Sequence, residues 1–571
     1  MEEKILQKQK RKFVLLANEA VVRGAIEAKV DFVSTYPGTP ASEIGNTFYK
    51  IKEILKKTNP KFHFEFSTNE KVAMEAAAGA AISGFKSLVA MKNFGLNVAS
   101  DFLHTLMYSG IEGSMVIFVA DDPSCWSSAQ SEQNTRFYCL MAHIPTLEPS
   151  TPQEFKDFTK FAFLLSEKFK IPVMIRSTTR ASHQSGPVLF GEISNSKLKF
   201  QKFIKDSKKF STMPPRVLEM KKELFEKIEE IKKESENSNL NKIIYGNSKE
   251  KVGILTSGIS FSYSVEALKK LNLKLPVLKL GFVYPLPEKK ILKFLRKLKK
   301  VLVVEELESY LEREISILAK KENLKVEILG KGKEIEGGRI WKERKAILPQ
   351  IGELKPEYVE IAISKILKRK TSFDYELHFK KFEKIKIPQR SPILCPGCPY
   401  WSVINAIKKV VNLQDIIFGG EIGCYMLFSH KVIDLQDYLY CMGSSISVAH
   451  GISKATKQKV IAFVGDSSFF HASIPALINT VFNQSNPLII ILENQTTAMT
   501  GHQPHPGVGD GEPIKIEEVI RACRVKNVKV IDPVENQKEF EDALREFLKK
   551  QEVSVIIARH LCALLEKKKK T

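Results

Sequence analysis

Two long stretches of the chain alternate short apolar runs with amphipathic segments of helical period. In the first, residues 13–16, 31–35, 87–91, 115–120 and 172–176 are apolar almost throughout. Runs of this length without period-two alternation predict strands buried on both faces, with helices packed between them. That is the signature of a doubly wound α/β domain, placed at 1–200. In the second stretch, 391–565, the strongest parallel-strand candidates are 460–464 and 488–492. Between the two, residues 201–250 shift to Lys, Glu, Asn and Ser. They predict a solvated helix at 220–236 inside a charged linker, with no core of its own. An α/β rhythm returns at 251–370, where a strand at 252–255 runs into Thr256-Ser257-Gly258 and a helix, followed by strands at 277–280 and 301–304. Residues 371–390, charged and Pro-containing, predict a second linker, and 566–571 a basic tail.

Length agrees with this division, since 571 residues exceed what one core serves. A composition of 43% hydrophobic and 27% charged residues is that of an ordinary globular chain. The N-terminal MEEKILQKQKRK has no apolar core, and the longest apolar runs are far too short to span a bilayer, so a cytoplasmic protein without membrane association is expected. The net charge of +23 raises nucleic-acid binding. The lysines, however, are spread along hydrophilic helices and the tail at 567–570, and no nucleic-acid module is visible. A basic surface equally suits an acidic protein partner.

The most informative residues are Gly465-Asp466-Ser467, ending the strand at 460–464, and Asn494-Gln495-Thr496, ending the strand at 488–492. In an open parallel sheet, ligands bind at the carboxyl ends of strands. Gly465 lets a phosphate approach the backbone. Asp466 offers an anionic oxygen and Asn494 a neutral one, on successive strands. With a backbone carbonyl near Thr496 they suit an octahedral Mg²⁺ whose other ligands are diphosphate oxygens and water. An aspartate capping a helix would look the same in isolation; the spacing to Asn494 argues for the ion. The motif resembles the Gly-Asp-Gly…Asn signature of thiamine-diphosphate enzymes, with Ser467 replacing the second glycine. Its flanks, GDSSFFH from Gly465 and NQTTAMTGHQPHPG from Asn494, resemble the large subunit of indolepyruvate:ferredoxin oxidoreductases, in the 2-oxoacid:ferredoxin oxidoreductase family.

Thiamine diphosphate needs a carboxyl group in a dry pocket against its pyrimidine. Residues 70–85 read EKVAMEAAAGAAISGF, a helix with an Ala/Gly face that permits close approach and with only two acids, Glu70 and Glu75. Glu75, nine residues before Gly84-Phe85, resembles the activating glutamate of thiamine enzymes in its spacing; Glu70 is the alternative. Tyr36-Pro37-Gly38-Thr39-Pro40 resembles the family's Tyr-Pro-x-Thr-Pro loop, in which Thr39 would meet the substrate's oxoacid group.

Of eight cysteines, Cys395 and Cys398 form a C-x₂-C pair at the start of the third domain, Cys424 follows Glu421-Ile422-Gly423, and Cys562 follows the last apolar run. Four thiolates so placed suit zinc or a [4Fe–4S] cluster. The resemblance favours the cluster, with Cys441 as the residue that could displace one of the four, and places Glu421 and Gly423 at the cofactor. It further implies a smaller transketolase-C-like α/β domain at 251–370, and oxidative decarboxylation of an aryl 2-oxoacid to its coenzyme A thioester. A smaller β-type partner subunit in an α₂β₂ complex and electron transfer to ferredoxin complete the implied picture. The family's large subunit commonly continues into a ferredoxin-like domain; here the sequence ends soon after Glu566, so a separate iron–sulfur subunit or ferredoxin is expected to receive the electrons. Without that exit, a non-oxidative 2-oxoacid decarboxylase or carboligase is the alternative. His502 and His505 are candidate acid–base groups or loop packing. Arg136 is expected in a surface salt bridge rather than at a substrate carboxylate, and Arg180 sits in a family-like segment without an assigned role.

Overall fold

The computed structural model describes residues 2–570 apart from 8–9, 128, 194–201, 246–248, 335–341, 344–345, 387, 389–390, 457 and 510. By internal contacts the chain divides into two units, Met1–Glu65 with Glu70–Lys386, and Phe66–Asn69 with Ile387–Thr571.

The first unit is organised by two sheets. The larger has seven strands in the spatial order Phe282–Tyr284, Thr146–Leu147, Val173–Thr178, Ser114–Asp121, Lys86–Lys92, Phe32–Thr35 and His63–Phe66. The strands from Thr146–Leu147 to Phe32–Thr35 run parallel. Ser114–Asp121 is buried at every position, which is why its sequence is apolar without alternation. Residues 13–16 do form a strand, Lys12–Leu16, but not a buried one. It pairs antiparallel with Ser185–Leu189 in a two-stranded ribbon that leaves Val14 74% exposed. A ribbon has one face to bury, so an apolar run there does not signal a central strand.

The second sheet takes Glu327–Leu329, Lys300–Val304, Val252–Ser257 and Val277–Leu280 in parallel, with Lys242–Ile244 antiparallel at the edge. Two expectations about the linker are corrected here. The helix Arg216–Asn237 is not merely solvated: Met220, Leu224, Ile228 and Ile231 form a buried stripe at helical spacing. It packs against the helices Asn93–Ser109 and Glu288–Leu295. Lys242–Ile244 then supplies a sheet edge, so most of 201–250 belongs to the fold. The segment Tyr375–Glu383 is a helix whose N-cap, Asp374, accepts the Leu377 N–H at 2.9 Å.

The second unit holds one six-stranded, all-parallel sheet in the order Tyr438–Leu439, Ile416–Gly420, Lys459–Gly465, Leu488–Glu493, Ser554–Arg559, Asn527–Ile531. Successive residues feed opposite cores. Ile461, Phe463, Ile490 and Ile556 pack with the helices Tyr400–Val410 and Gln537–Leu548. Val460, Ala462, Ile489 and Ile557 pack with Ser444–Thr456, Ile474–Phe482 and Ile516–Ala522. The sheet is therefore doubly wound, and each such side chain contributes about 1.5–3 kcal/mol on burial. In both large sheets the chain order reverses beside an inner strand. The reversals fall between Phe32–Thr35 and Lys86–Lys92, and between Ile416–Gly420 and Lys459–Gly465. These are the crevices where such sheets bind ligands. Among the described residues, no helix is long and apolar enough to cross a membrane.

Candidate active site

In the second unit, Asp466 opens the turn after Lys459–Gly465 and is 3% exposed. Its Oδ1 accepts the Ser467 N–H at 2.8 Å, and its Oδ2 accepts the N–H of Gln495, one residue past Asn494, also at 2.8 Å. Gly465 stands opposite Leu492 in the parallel register, so the aspartate reaches the tip of the neighbouring strand. The buried Asn494 Oδ1 accepts the Thr496 N–H at 3.2 Å. Ser467, the departure from glycine, is hydrogen-bonded by the Thr497 hydroxyl at 3.0 Å. The donors brought together are carboxylate, amide and hydroxyl oxygens, hard ligands that fit Mg²⁺. Beside them the buried His505 Nε2 lies 3.2 Å from Asp466 Oδ2.

The two histidines part company. His505 packs with Phe470, four residues past Asp466. His502 lines a different cavity, where burial lowers its pKa and Lys568 adds to the effect.

That cavity gathers the cysteines. Cys395, Cys398, Cys424 and Cys562 line one space of about 190 Å³ with otherwise mainly apolar walls. Cys441 is exposed and lies outside its lining. Burial, reinforced by the neighbouring thiols, pushes Cys398 up to about 11 and Cys424 up to about 12. Thiols so disposed give up their protons when they bind a metal. Among the described residues no three Cys, His, Asp or Glu side chains converge tightly enough to hold one ion. A tetrahedral zinc would draw its sulfurs to roughly 2.3 Å from one point. Four thiols around one cavity are soft ligands that suit either zinc or an iron–sulfur cluster. Asn494 lines this cavity too, and its carbonyl accepts the Cys562 N–H at 3.1 Å. The two sites thus share a residue.

Glu421, at the tip of Ile416–Gly420, is wholly buried, and burial raises its pKa to about 7 against the pull of Tyr425. Gly423 has an extended backbone. Sequence reasoning missed Tyr425, whose hydroxyl donates to Glu421 Oε1 and accepts the Gly465 N–H, both at 2.8 Å. An isolated tyrosine reads as core; its position directly after a cavity cysteine was the available signal.

In the first unit, the loop carrying Thr39 follows Phe32–Thr35, and Lys92 ends the adjacent strand. Ser127 Oγ donates to the Thr39 carbonyl at 3.0 Å and binds the Lys92 ammonium at 3.2 Å, while Asp122 lies 3.3 Å from that ammonium. Burial lowers the Lys92 pKa and Asp122 opposes the shift. Lys92 also escaped the sequence reading. Next to it Asn93 is wholly buried, and both polar atoms of its side chain lack hydrogen-bond partners. Such orphans call for an explanation, and a ligand is one.

The two candidate carboxyls on Glu70–Ile82 differ sharply. Glu70 is 7% exposed and packs so closely on Gly95 that an added Cβ would meet its Cγ at 2.5 Å. The Glu75 side chain is 40% exposed, with Lys71 at 4.0 Å. The residue that meets the requirement for a dry carboxyl is therefore Glu70, the alternative of the sequence reading, and not Glu75.

Arg136 is not at the surface. It is buried, grips Glu148 through Nε and Nη2 at 2.6 and 2.8 Å, and lies 3.5 Å from Glu305. Arg176 joins it on Glu148 at 2.9 Å. Though burial opposes ionisation, the two guanidiniums pull Glu148 down to about 2. Arg180 forms a two-pronged pair with Glu353 at 2.6 and 2.7 Å. Arg136 and Arg180 thus each pair with carboxylates of the first unit, the former buried and the latter half-exposed.

Residues 23–244 match the family described as pyruvate flavodoxin/ferredoxin oxidoreductase, thiamine diphosphate-binding. Residues 242–390 match the indolepyruvate oxidoreductase domain, and 421–558 the C-terminal TPP-binding domain of thiamine pyrophosphate enzymes. Fold, site and families together define a class, the thiamine-diphosphate-binding subunits of 2-oxoacid oxidoreductases. An indolepyruvate oxidoreductase subunit IorA of Methanothermobacter marburgensis is 44% identical over 97% of this chain and 87% of its own length. Another, from Archaeoglobus fulgidus, is 40% identical over the same shares. The chain belongs to this IorA family of indolepyruvate oxidoreductase subunits. A solved 2-oxoglutarate:ferredoxin oxidoreductase from Magnetococcus marinus superposes with a TM-score of 0.48 at 18% identity, covering 63% of this chain and 66% of the other.

Proposed function

We propose that the chain is the thiamine-diphosphate subunit of a cytoplasmic enzyme that oxidatively decarboxylates aryl 2-oxoacids such as indolepyruvate. The products are CO₂ and the coenzyme A thioester, and two electrons leave one at a time for ferredoxin. The observation that supports this reading is that Asn494, which lines the four-cysteine cavity, directly precedes Gln495, whose N–H is accepted by Asp466. It sets a diphosphate–metal site next to a place for an electron acceptor. A non-oxidative lyase has no use for the second.

Bound thiamine diphosphate would supply the nucleophilic carbon that attacks the keto group and stabilises the charge left when CO₂ departs. Asp466 and Asn494, with the backbone at Thr496, would hold its Mg²⁺, and Gly465 and Ser467 would admit the phosphates. Glu70 would provide the buried carboxyl for the pyrimidine nitrogen. Thr39 orients the substrate's oxoacid group. Cys395, Cys398, Cys424 and Cys562, which line one cavity, would hold a [4Fe–4S] cluster, whose chemistry is to accept single electrons. A smaller β-type subunit completes an α₂β₂ enzyme.

Anaerobic purification followed by thiamine, iron, sulfide and zinc analysis tests the reading. Thiamine diphosphate with iron and sulfide is expected. Thiamine without iron would support a lyase, and zinc in place of iron would overturn the cluster.

A further inference from the structure

The strands Ile416–Gly420 and Lys459–Gly465 are paired as far as Gly419 and Ala462, and Glu421 and Gly465 lie beyond the last pair. This is the crevice where the sheet's order reverses, and Tyr425 bridges it. The ring is buried against both glycines of the crevice: a Cβ on Gly465 would meet a ring carbon at 2.9 Å, and one on Gly423 at 2.3 Å. A phenol carries one proton, so its bonds have a defined sense. Here the hydroxyl accepts the Gly465 N–H and donates to Glu421 Oε1 at 2.8 Å, with the Ile422 carbonyl at 3.2 Å as a weaker second acceptor. It therefore pins the two strand tips to each other. The preceding residue, Cys424, lines the cysteine cavity, and the residue after Gly465 is Asp466. Two covalent steps and one buried hydrogen bond join the thiol to the metal-binding carboxylate.

Resting on the functional reading above, we propose that Tyr425 is a positioning residue that couples the two sites, so that a cluster in the cavity and Mg²⁺–thiamine diphosphate at the strand tip each strengthen the other's binding. A thiolate committed to an iron fixes the backbone of residue 424. That fixes the tyrosine hydroxyl, and the hydroxyl fixes the amide that sets the entrance to Asp466. Binding at either end then repays the ordering of the same short segment, and linkage makes the effect reciprocal. A phenylalanine would fill the same space without the link.

The test is the affinity of Mg²⁺–thiamine diphosphate for the holoenzyme, measured by calorimetry with the cluster in place and after anaerobic removal of iron. The wild-type enzyme is expected to bind at least about 5-fold more tightly when loaded, the low end of ordinary coupling. In Tyr425→Phe the two affinities should agree within about twofold, and the midpoint potential of the cluster should stop responding to thiamine diphosphate. A purely structural tyrosine would lower stability without abolishing that response. Glu421→Gln, which keeps an acceptor oxygen for the phenol, should retain the coupling, whereas Glu421→Leu, which leaves the phenol only the longer contact to the Ile422 carbonyl, should weaken it even if Tyr425→Phe folds poorly. Equal affinities in the loaded and iron-free wild type, or undiminished coupling in Tyr425→Phe and Glu421→Leu, would overturn the proposal. Failure of every form to bind thiamine diphosphate would remove the functional reading and this inference with it.

Discussion

Replacing Glu70 by glutamine leaves the shape of a buried side chain and takes away its acid. If this carboxyl serves the pyrimidine nitrogen, the loss should fall on turnover, by the roughly 10²–10⁴-fold typical of a positioned acid–base group. That is about 3–5 kcal/mol of barrier. The structure supplies an independent way to make the same injury. In Gly95→Ala the new methyl would sit 2.5 Å from Glu70 Cγ and 2.9 Å from its Oε1. Ordinary carbon contacts are about 3.5–4 Å, so the carboxyl must retreat by about 1 Å. A displacement of that size costs on the order of 10²-fold in rate. Glu75→Gln is the control, because its exposed pairing with Lys71 is worth at most about 1 kcal/mol. Indolepyruvate-dependent dye reduction by the anaerobic holoenzyme, at saturating thiamine diphosphate, reads all three. Glu70→Gln and Gly95→Ala should both be crippled while Glu75→Gln stays within about twofold of wild type. Full activity in Glu70→Gln, or a dead Glu75→Gln, would refute the reasoning.

Three further outcomes follow from the same geometry. Asp466→Ala should weaken Mg²⁺–thiamine diphosphate binding by more than the roughly 10–100-fold that outer-shell partners contribute, read by equilibrium dialysis; unchanged affinity would place the metal elsewhere. Cys424→Ser should lose the iron–sulfur absorbance and Cys441→Ser should keep it; the reverse pattern would reassign the cluster. Glu148→Gln removes the buried carboxylate that Arg136 and Arg176 share, leaving them Glu305 and Asp121, and should cost about 3 kcal/mol in chemical denaturation near neutral pH. Because Glu148 titrates well below the ordinary carboxylate range, at about 2, its contribution is present above about pH 4.5 and drains away as pH falls toward 2. The gap between wild type and variant should close over that window; a gap independent of pH would contradict the ion-pair account.

The parts of the fold and site that could be read from the sequence are those fixed by local pattern. Apolar runs such as Leu488–Glu493 are buried on both faces, so composition alone reveals them. That Asp466 and Asn494 stand at the ends of neighbouring strands was legible because each follows such a run. The cysteines were legible as a set because thiols are scarce. What escaped depends on which residues approach through space. Periodicity places Glu70 and Glu75 on one helix; only the proximity of Gly95 distinguishes the dry one. Arg136 looked like a surface residue because its partners, Glu148 and Glu305, lie 12 and 169 positions away. The stripe through Met220, Leu224, Ile228 and Ile231 was hidden by the many lysines and glutamates on the same helix's outer face. Lys92 and Tyr425 belong to no motif and acquire meaning only from the loops that fold against them.

The antiparallel pairing of Phe282–Tyr284 with Thr146–Leu147 has a consequence for how this chain can be cut. The first 200 residues read as a self-contained module, yet their sheet is finished by three residues donated from beyond position 280. A fragment ending near residue 250 would expose a raw hydrogen-bonding border and strand Arg136 without Glu305. Gene fission, limited proteolysis or domain swapping between relatives would therefore have to carry both segments together, with any breakpoint placed beyond Tyr284.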